Sequence, residues 1–157
     1  MARHARRRQH VPEIVTGRGR VVRQAALALS LAWFAVAVAA QDATAIRVQQ
    51  VAREWLALAD RGDAAASYAA AGQQFKQALA VERWTQALAV ERTPLGALER
   101  RSVLSTKVQK TSPDAPDATY AVVLFHTSFS KKTDARETVT LARESDGAWR
   151  VVGYVIR

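Results

Sequence analysis

Glu137, Arg101 and His126 are the residues of this chain with the most chemistry to offer. Glu137 lies in the segment Arg136–Arg143 (RETVTLAR), whose alternation of apolar and polar residues reads as a strand, and a hairpin register argued below puts its carboxylate on the core side. A carboxylate placed there must find a cation or take up a proton, because burial disfavours its charged form. Arg101, at the start of an earlier strand, is the expected partner. Such a pair could fix the sheet against its covering helices, bind a ligand at the mouth of a cavity, or leave Glu137 as a general base. His126 is the one histidine beyond position 10, and on an alternating strand it faces away from Phe125 and Phe129, with no acid nearby in sequence to orient it. Surface or core filler is the plain reading of such a histidine; a general base is the sharper one.

The aromatic residues Trp55, Tyr68, Trp84 and Tyr154 either line a pocket or fill a core. Each buries roughly 150 to 250 Å², and a domain without disulfides needs that area. The chain has no cysteine, which excludes disulfides, thiolate metal ligation, a cysteine nucleophile and lipid attachment through a cysteine. It contains no His-Glu-x-x-His or similar cluster, so no metal and no cofactor is expected. Its serines lack the strand-to-helix elbow that makes a serine nucleophilic.

These residues must be separated from a leader. Seven arginines (Arg3, Arg6, Arg7, Arg8, Arg18, Arg20, Arg23) face one acid, Glu13, before the uncharged run Ala25–Ala40 (AALALSLAWFAVAVAA). That is the layout of a secretory signal peptide, with small residues suited to cleavage after Ala39 or Ala40. Sixteen helical residues span roughly 24 Å, short of a hydrocarbon core of roughly 30 Å, so a cleaved signal is expected over an uncleaved inner-membrane anchor. Arg7-Arg8 sits too far from the apolar run to suggest twin-arginine export. Removing the leader's seven bases and one acid from the 23 and 14 of the whole chain leaves 16 and 13, a formal +3 in place of +9. The bases that remain, Arg100-Arg101, Lys107, Lys110 and Lys131-Lys132, are scattered and do not alternate with aromatics, so no nucleic acid is expected as a partner. Residues 41–157 suffice for one domain burying roughly 65% of its unfolded surface.

The first half of that domain has helical spacing. Val48, Val51, Ala52, Trp55 and Ala59 form one stripe on a helix over about Thr44–Asp60, stopped by Gly62. Asp63 is placed to cap a second helix toward Ala71. A third is expected from after Gly72 to about Arg92, ended by Pro94 and Gly96. The second half alternates, with strands expected over Arg100–Lys110, Thr119–Phe129, Arg136–Arg143 and Trp149–Ile156, and turn chemistry at Ser112–Asp117. The expectation is an α+β domain: about three N-terminal helices on one face of a four-stranded antiparallel meander.

Asp146-Gly147 signals the last hairpin. If those two are the turn, Leu141 pairs with Val152, Val139 with Tyr154 and Glu137 with Ile156, and the core face carries Val139, Leu141, Val152, Tyr154 and Ile156 beside Glu137. A turn that also uses Ser145 would shift the pairing by one and bring Trp149, Val151 and Val155 inward instead. The first register is preferred.

EWLALADRGD (Glu54–Asp63), Ser67-Tyr68, Trp84, RTPLGALERR (Arg92–Arg101), FHTSF (Phe125–Phe129), ETV (Glu137–Val139) and DGAWRVVGYVIR (Asp146–Arg157) together resemble the bacterial domain-of-unknown-function family 4019. Ala64, where an aromatic is usual, and His126, in a variable place, depart from it. The resemblance implies an exported or membrane-tethered protein with a small α+β fold similar to the nuclear-transport-factor-2-like and cystatin-like cones, and brings no catalytic residue with it. Taken together, these readings lead to a non-catalytic periplasmic domain binding a small apolar ligand or an envelope protein. The alternatives are an isomerase- or dehydratase-type enzyme using Glu137 or His126, and an envelope accessory protein tethered by its uncleaved leader. A filled interior would favour the interaction module, and a polar cavity around Glu137 or His126 the enzyme.

Overall fold

Helix α1 (Val21–Asp60) is where the apolar stripe of the sequence becomes a buried surface. The structure, a computed structural model, describes residues 21–110 and 118–157, with side chains from residue 41 onward. The expected leader falls outside the described side chains, and the Ser112–Asp117 turn outside the described residues. The chain separates into two units, Met1–Ala39 and Ala40–Arg157, and the sheet with its packed helices belongs to the second. Among the described residues, no helix is long and apolar enough to cross a membrane.

In α1 four of the five stripe residues, Val48, Ala52, Trp55 and Ala59, are sealed from solvent and joined by Leu56, while Val51 packs at the edge of the core, partly buried. The helix stops where Gly62 takes a positive φ of 69°. There the Asp63 N–H reaches back to the Leu58 carbonyl and the Gly62 N–H to that of Ala59, each at 3.0 Å, satisfying carbonyls the helix end would leave bare. Asp63 caps α2 (Ala64–Ala70) as expected, its carboxylate accepting from the Ala66 N–H at 2.9 Å.

The single helix expected from Gly72 to Arg92 is two: α3 (Gln73–Ala78) and α4 (Val81–Arg92), separated by the extended residues Leu79 and Ala80. Neither proline nor glycine marks the break. The Tyr68 hydroxyl donates to the freed Leu79 carbonyl at 3.0 Å, and the bend lets Phe75 of α3 and Trp84 of α4 both face Trp55. A short 3₁₀ turn, Thr93–Leu95, follows α4.

Strands β1 (Leu98–Gln109), β2 (Thr119–Phe129), β3 (Lys132–Arg143) and β4 (Trp149–Ile156) form an antiparallel sheet in the order β1-β2-β3-β4. The fold is α+β, helices first and the four-stranded meander after. β3 starts four residues earlier than the alternation suggests, because a tight turn at Ser130-Lys131 pairs Phe129 with Lys132. The core face of the sheet presents Ala121, Val123, Phe125, Val139, Leu141 and Val151 to the helices.

The last hairpin combines both registers. Its turn uses Ser145, Asp146 and Gly147, closed by the Glu144 N–H on the Ala148 carbonyl at 2.9 Å, so Leu141 pairs with Val151. A bulge between Thr140 and Leu141 leaves Val152 surplus and shifts the pairing back, so that Val139 meets Tyr154 and Glu137 meets Ile156 as expected. Val151 is therefore fully buried while Val152, expected in the core, is half-buried, and Val155 points outward.

Candidate functional site

Six elements converge on Glu137. Asp60 closes α1, Arg92 closes α4, and the four strands contribute Arg101, Thr127, Glu137 and Tyr154, one each. Placing an acid at a helix C-terminus opposes the helix dipole, so Asp60 calls for a cation there; Arg92 and Arg101 supply two.

The Glu137 side chain is fully buried, and each of its oxygens has two donors. Oε1 accepts from Arg92 Nη1 and from the Tyr154 hydroxyl, both at 2.8 Å. Oε2 accepts from Arg101 Nε at 2.6 Å and from the Thr127 hydroxyl at 2.5 Å. Arg101 also grips Asp60 with both terminal nitrogens, at 2.7 and 2.9 Å, and Arg92 Nη2 pairs with Asp60 Oδ1. The Arg92 guanidinium lies over the Phe129 ring, 4.8 Å from its centroid. Two acids and two bases thus form a closed, electrically neutral ring.

This arrangement decides the chemistry of both titratable partners. Burial raises the Glu137 pKa, but the Arg101 charge and the hydrogen bonds from Arg101, Thr127 and Tyr154 outweigh it, leaving the carboxyl below its ordinary range. Burial, reinforced by the Glu137 charge and only partly offset by Arg92, pushes the Tyr154 phenol above its ordinary range. Glu137 is held ionised with all its acceptor directions filled, and Tyr154 is held as a donor. A general base needs a free lone pair, and Glu137 has none to offer.

The sequence expectation of an Arg101–Glu137 pair is realised, but Asp60, Arg92 and Thr127 were missed. The available signal was the pair of charged residues ending two helices, Asp60 and Arg92, both inside the segments that carry the family resemblance. Thr127 sits two residues from Phe125 on the same strand face and reads from sequence as ordinary strand filler.

The expected aromatic residues come together as packing. Trp55 lies 5.5 Å from Trp84 and 5.4 Å from Tyr154 between ring centroids, and Trp84 lies 5.1 Å edge-on from Phe75. Both indoles are satisfied at one residue: Trp55 Nε1 donates to the Ser67 carbonyl at 2.8 Å and Trp84 Nε1 to the Ser67 hydroxyl at 2.9 Å. Tyr68 stands at the edge of this group, 6.2 Å from Phe75, its hydroxyl bound to the Leu79 carbonyl. The space between helices and sheet is filled by these rings.

Among the described residues, two openings adjoin them. One, of about 490 Å³, lies between α1 and the start of β4, lined by Trp55, Leu58, Trp149 and Val151 together with the charged Arg47, Glu54 and Arg150. A groove of about 290 Å³ runs between α4 and the distal half of β4, with Leu79, Trp84, Ala87, Tyr154 and Val155 along it and Glu91 at its rim. Trp84 and Tyr154 therefore belong to the core and to the groove wall together, whereas Trp55, Tyr68, Arg101 and Glu137 lie off it.

His126 has an acid after all. The β2–β3 hairpin brings Asp134, eight residues on, to 3.1 Å from its Nε2. The pair lies on the solvent side of the sheet, Asp134 being 78% exposed, and away from the aromatic interior. Among the described residues, no three of histidine, cysteine, aspartate and glutamate gather to hold a metal ion.

Residues 51–154 match the family model described as protein of unknown function (DUF4019). The chain belongs to the DUF4019 family. The match spans the ring, the aromatic cluster and most of the groove, from Val51 through Tyr154. No curated protein and no solved structure matches this DUF4019 chain.

Proposed function

We propose that this DUF4019 protein is an exported, non-catalytic binding module of the cell envelope that takes an apolar group of its ligand or partner into the groove between α4 and β4. The observation that carries this reading is the saturation of Glu137: with four donors on one carboxylate, the most reactive interior group acts as a clamp. Of the two openings beside the filled interior, the groove is the more apolar: one charged residue, Glu91, lines it, against Arg47, Glu54 and Arg150 in the opening beside Trp55. A volume of about 290 Å³ lies at the small end of ligand sites and suits a small apolar molecule or a few side chains. Export rests on the basic stretch and apolar run of the first forty residues, and helices packed on the core face of a four-stranded antiparallel sheet support a likeness to the nuclear-transport-factor-2-like cones.

The test is a titration with N-phenyl-1-naphthylamine, a neutral apolar probe, followed through the Trp84 indole resonance. Saturable movement of that resonance is expected, abolished by Ala87→Arg in the groove and unaffected by Asp134→Asn on the far side of the sheet. No movement, or movement that survives Ala87→Arg, refutes the groove as the site. N-terminal sequencing of the protein from cells tests export: a mature terminus at Ala40 or Gln41 is expected, and retention of Met1 would reject cleavage.

A further inference from the structure

We propose that the free edge of β4 at Tyr154 and Ile156 accepts an extended, basic and apolar segment of a partner protein, which adds to the sheet as a fifth strand. The proposal rests on the groove reading above and names what occupies it.

The strand order leaves two edges, β1 and β4, and they are guarded differently. β1 carries the exposed charges Glu99, Arg100 and Lys107 and two register irregularities, the devices by which sheet edges avoid unwanted pairing. β4 from Val151 to Ile156 carries neither charge nor proline. Its proximal end is closed by the chain itself: the Gly72 N–H donates to the Val151 carbonyl at 2.8 Å, and a Cβ at Gly72 would lie 2.8 Å from Glu144 Oε1. Among the described residues, no backbone hydrogen bond closes the distal end in this way.

The direction of the distal backbone groups follows from the ladder. Arg136 and Arg157 exchange both backbone hydrogen bonds, at 2.9 and 3.0 Å. Bonded and non-bonded pairs alternate along an antiparallel ladder, so Thr138 and Val155 form the next bonded pair. The N–H and C=O groups of Tyr154 and Ile156, opposite Val139 and Glu137, then turn away from β3. They face the side where no strand lies, along the stretch that walls the groove.

The occupant is read from this chemistry. Two outward N–H and two outward C=O groups ask for an extended backbone, and the lining of Leu79, Trp84 and Ala87 asks for apolar side chains on one face of it. Glu91 at the rim is exposed and has no ion-pair partner among the described residues, so it asks for a lysine or arginine. A second copy of this chain fits less well. Pairing two β4 strands about Val155 would satisfy the same backbone groups, yet it would bring a second Glu91 to the same rim, and like charges facing each other are unfavourable.

The experiment uses the full chain with the acetylated and amidated heptapeptide Lys-Val-Thr-Val-Thr-Val-Lys at millimolar concentration. Amide exchange at Tyr154 and Ile156 is followed together with the Trp84 indole resonance. Exchange at both amides is expected to slow at least roughly tenfold, as ladder pairing protects amides. No protection is expected from the same peptide N-methylated at alternate amides, and Glu91→Lys is expected to shift the preference toward a peptide with glutamates in place of lysines. If the indole resonance moves to saturation while both amides exchange as before, the groove is used but strand addition is wrong. If neither signal moves, strand addition is likewise wrong, and the groove stands or falls by its own probe titration. Protection that grows with protein concentration in the absence of peptide overturns the proposal in favour of a second copy.

Discussion

Replacing Glu137 by glutamine keeps its size and removes its charge. Arg92 and Arg101 would then share Asp60 alone, leaving a net positive charge where their side chains are only 10% and 7% exposed. One of the two former oxygens becomes an N–H₂ group pointed at donors, either Arg92 and Tyr154 or Arg101 and Thr127. Removing one partner of a buried charge pair costs about 3 to 5 kcal/mol, most of it from the charge left behind. For a domain of this size about 1 kcal/mol moves the melting temperature by roughly 3 to 6 °C, so Glu137→Gln should lower Tm by roughly 9 to 30 °C at pH 7. Calorimetric unfolding of both proteins measures this. The gap must also depend on pH. Because Glu137 titrates below its ordinary value in the folded protein, its contribution is complete above about 4.3, the value for an unfolded glutamate. It is lost as pH falls through the lower folded value, so the two proteins converge in acid. A variant within about 0.5 kcal/mol of the parent at pH 7, or a gap that persists unchanged to pH 2, refutes the ring as described.

Gly96 sits at φ 79°, and a Cβ there would collide with Ser130 Oγ; Gly96→Ala should destabilise by about 1 to 3 kcal/mol in urea unfolding, with Ser130→Gly recovering part of the loss. Ser67→Ala removes the acceptor of the buried Trp84 Nε1 and should cost about 1 to 3 kcal/mol, accompanied by a shift of the Trp84 indole proton; an unmoved indole proton would contradict the hydrogen bond. The Asp146 carboxyl, held by Arg150 and the Ala148 N–H, is pulled down to about 2. Its carboxyl carbon should titrate with that midpoint, and Arg150→Gln should return it toward about 3.9.

Much of the architecture could be read from spacing, because periodicity reports which face is buried. The α1 stripe, the Asp63 cap and the four strands all follow from it. The break at Leu79-Ala80 could not be read, since no local residue demands it: it is made by Tyr68, eleven positions earlier, and by the packing of Phe75 and Trp84 on Trp55. The ring was half legible. Glu137 declared itself by polarity on an apolar face, and Arg101 by lying at the start of a strand. Asp60 and Arg92 join them only through the meeting of two helix ends, which no single segment encodes. Asp134 reaches His126 because β3 begins earlier than its alternation suggests, so the turn at Ser130-Lys131 was the missing information.

The last hairpin has a consequence for how the chain can change. Its turn holds one residue more than the shortest connection and its bulge returns the strand to phase, so two offsets cancel before Tyr154 is reached. A residue lost from the turn is absorbed there, because Glu144 and Ala148 can still pair across two residues. Deleting Val152 would straighten the bulge and leave Tyr154 opposite Val139. Losing Gly153 as well would set Tyr154 opposite Thr140, on the other side of the sheet, and release its hold on Glu137. The strand thus carries one residue of slack, and relatives of this chain should vary by one residue around Val152 but not by two, a tolerance written in gaps rather than in substitutions.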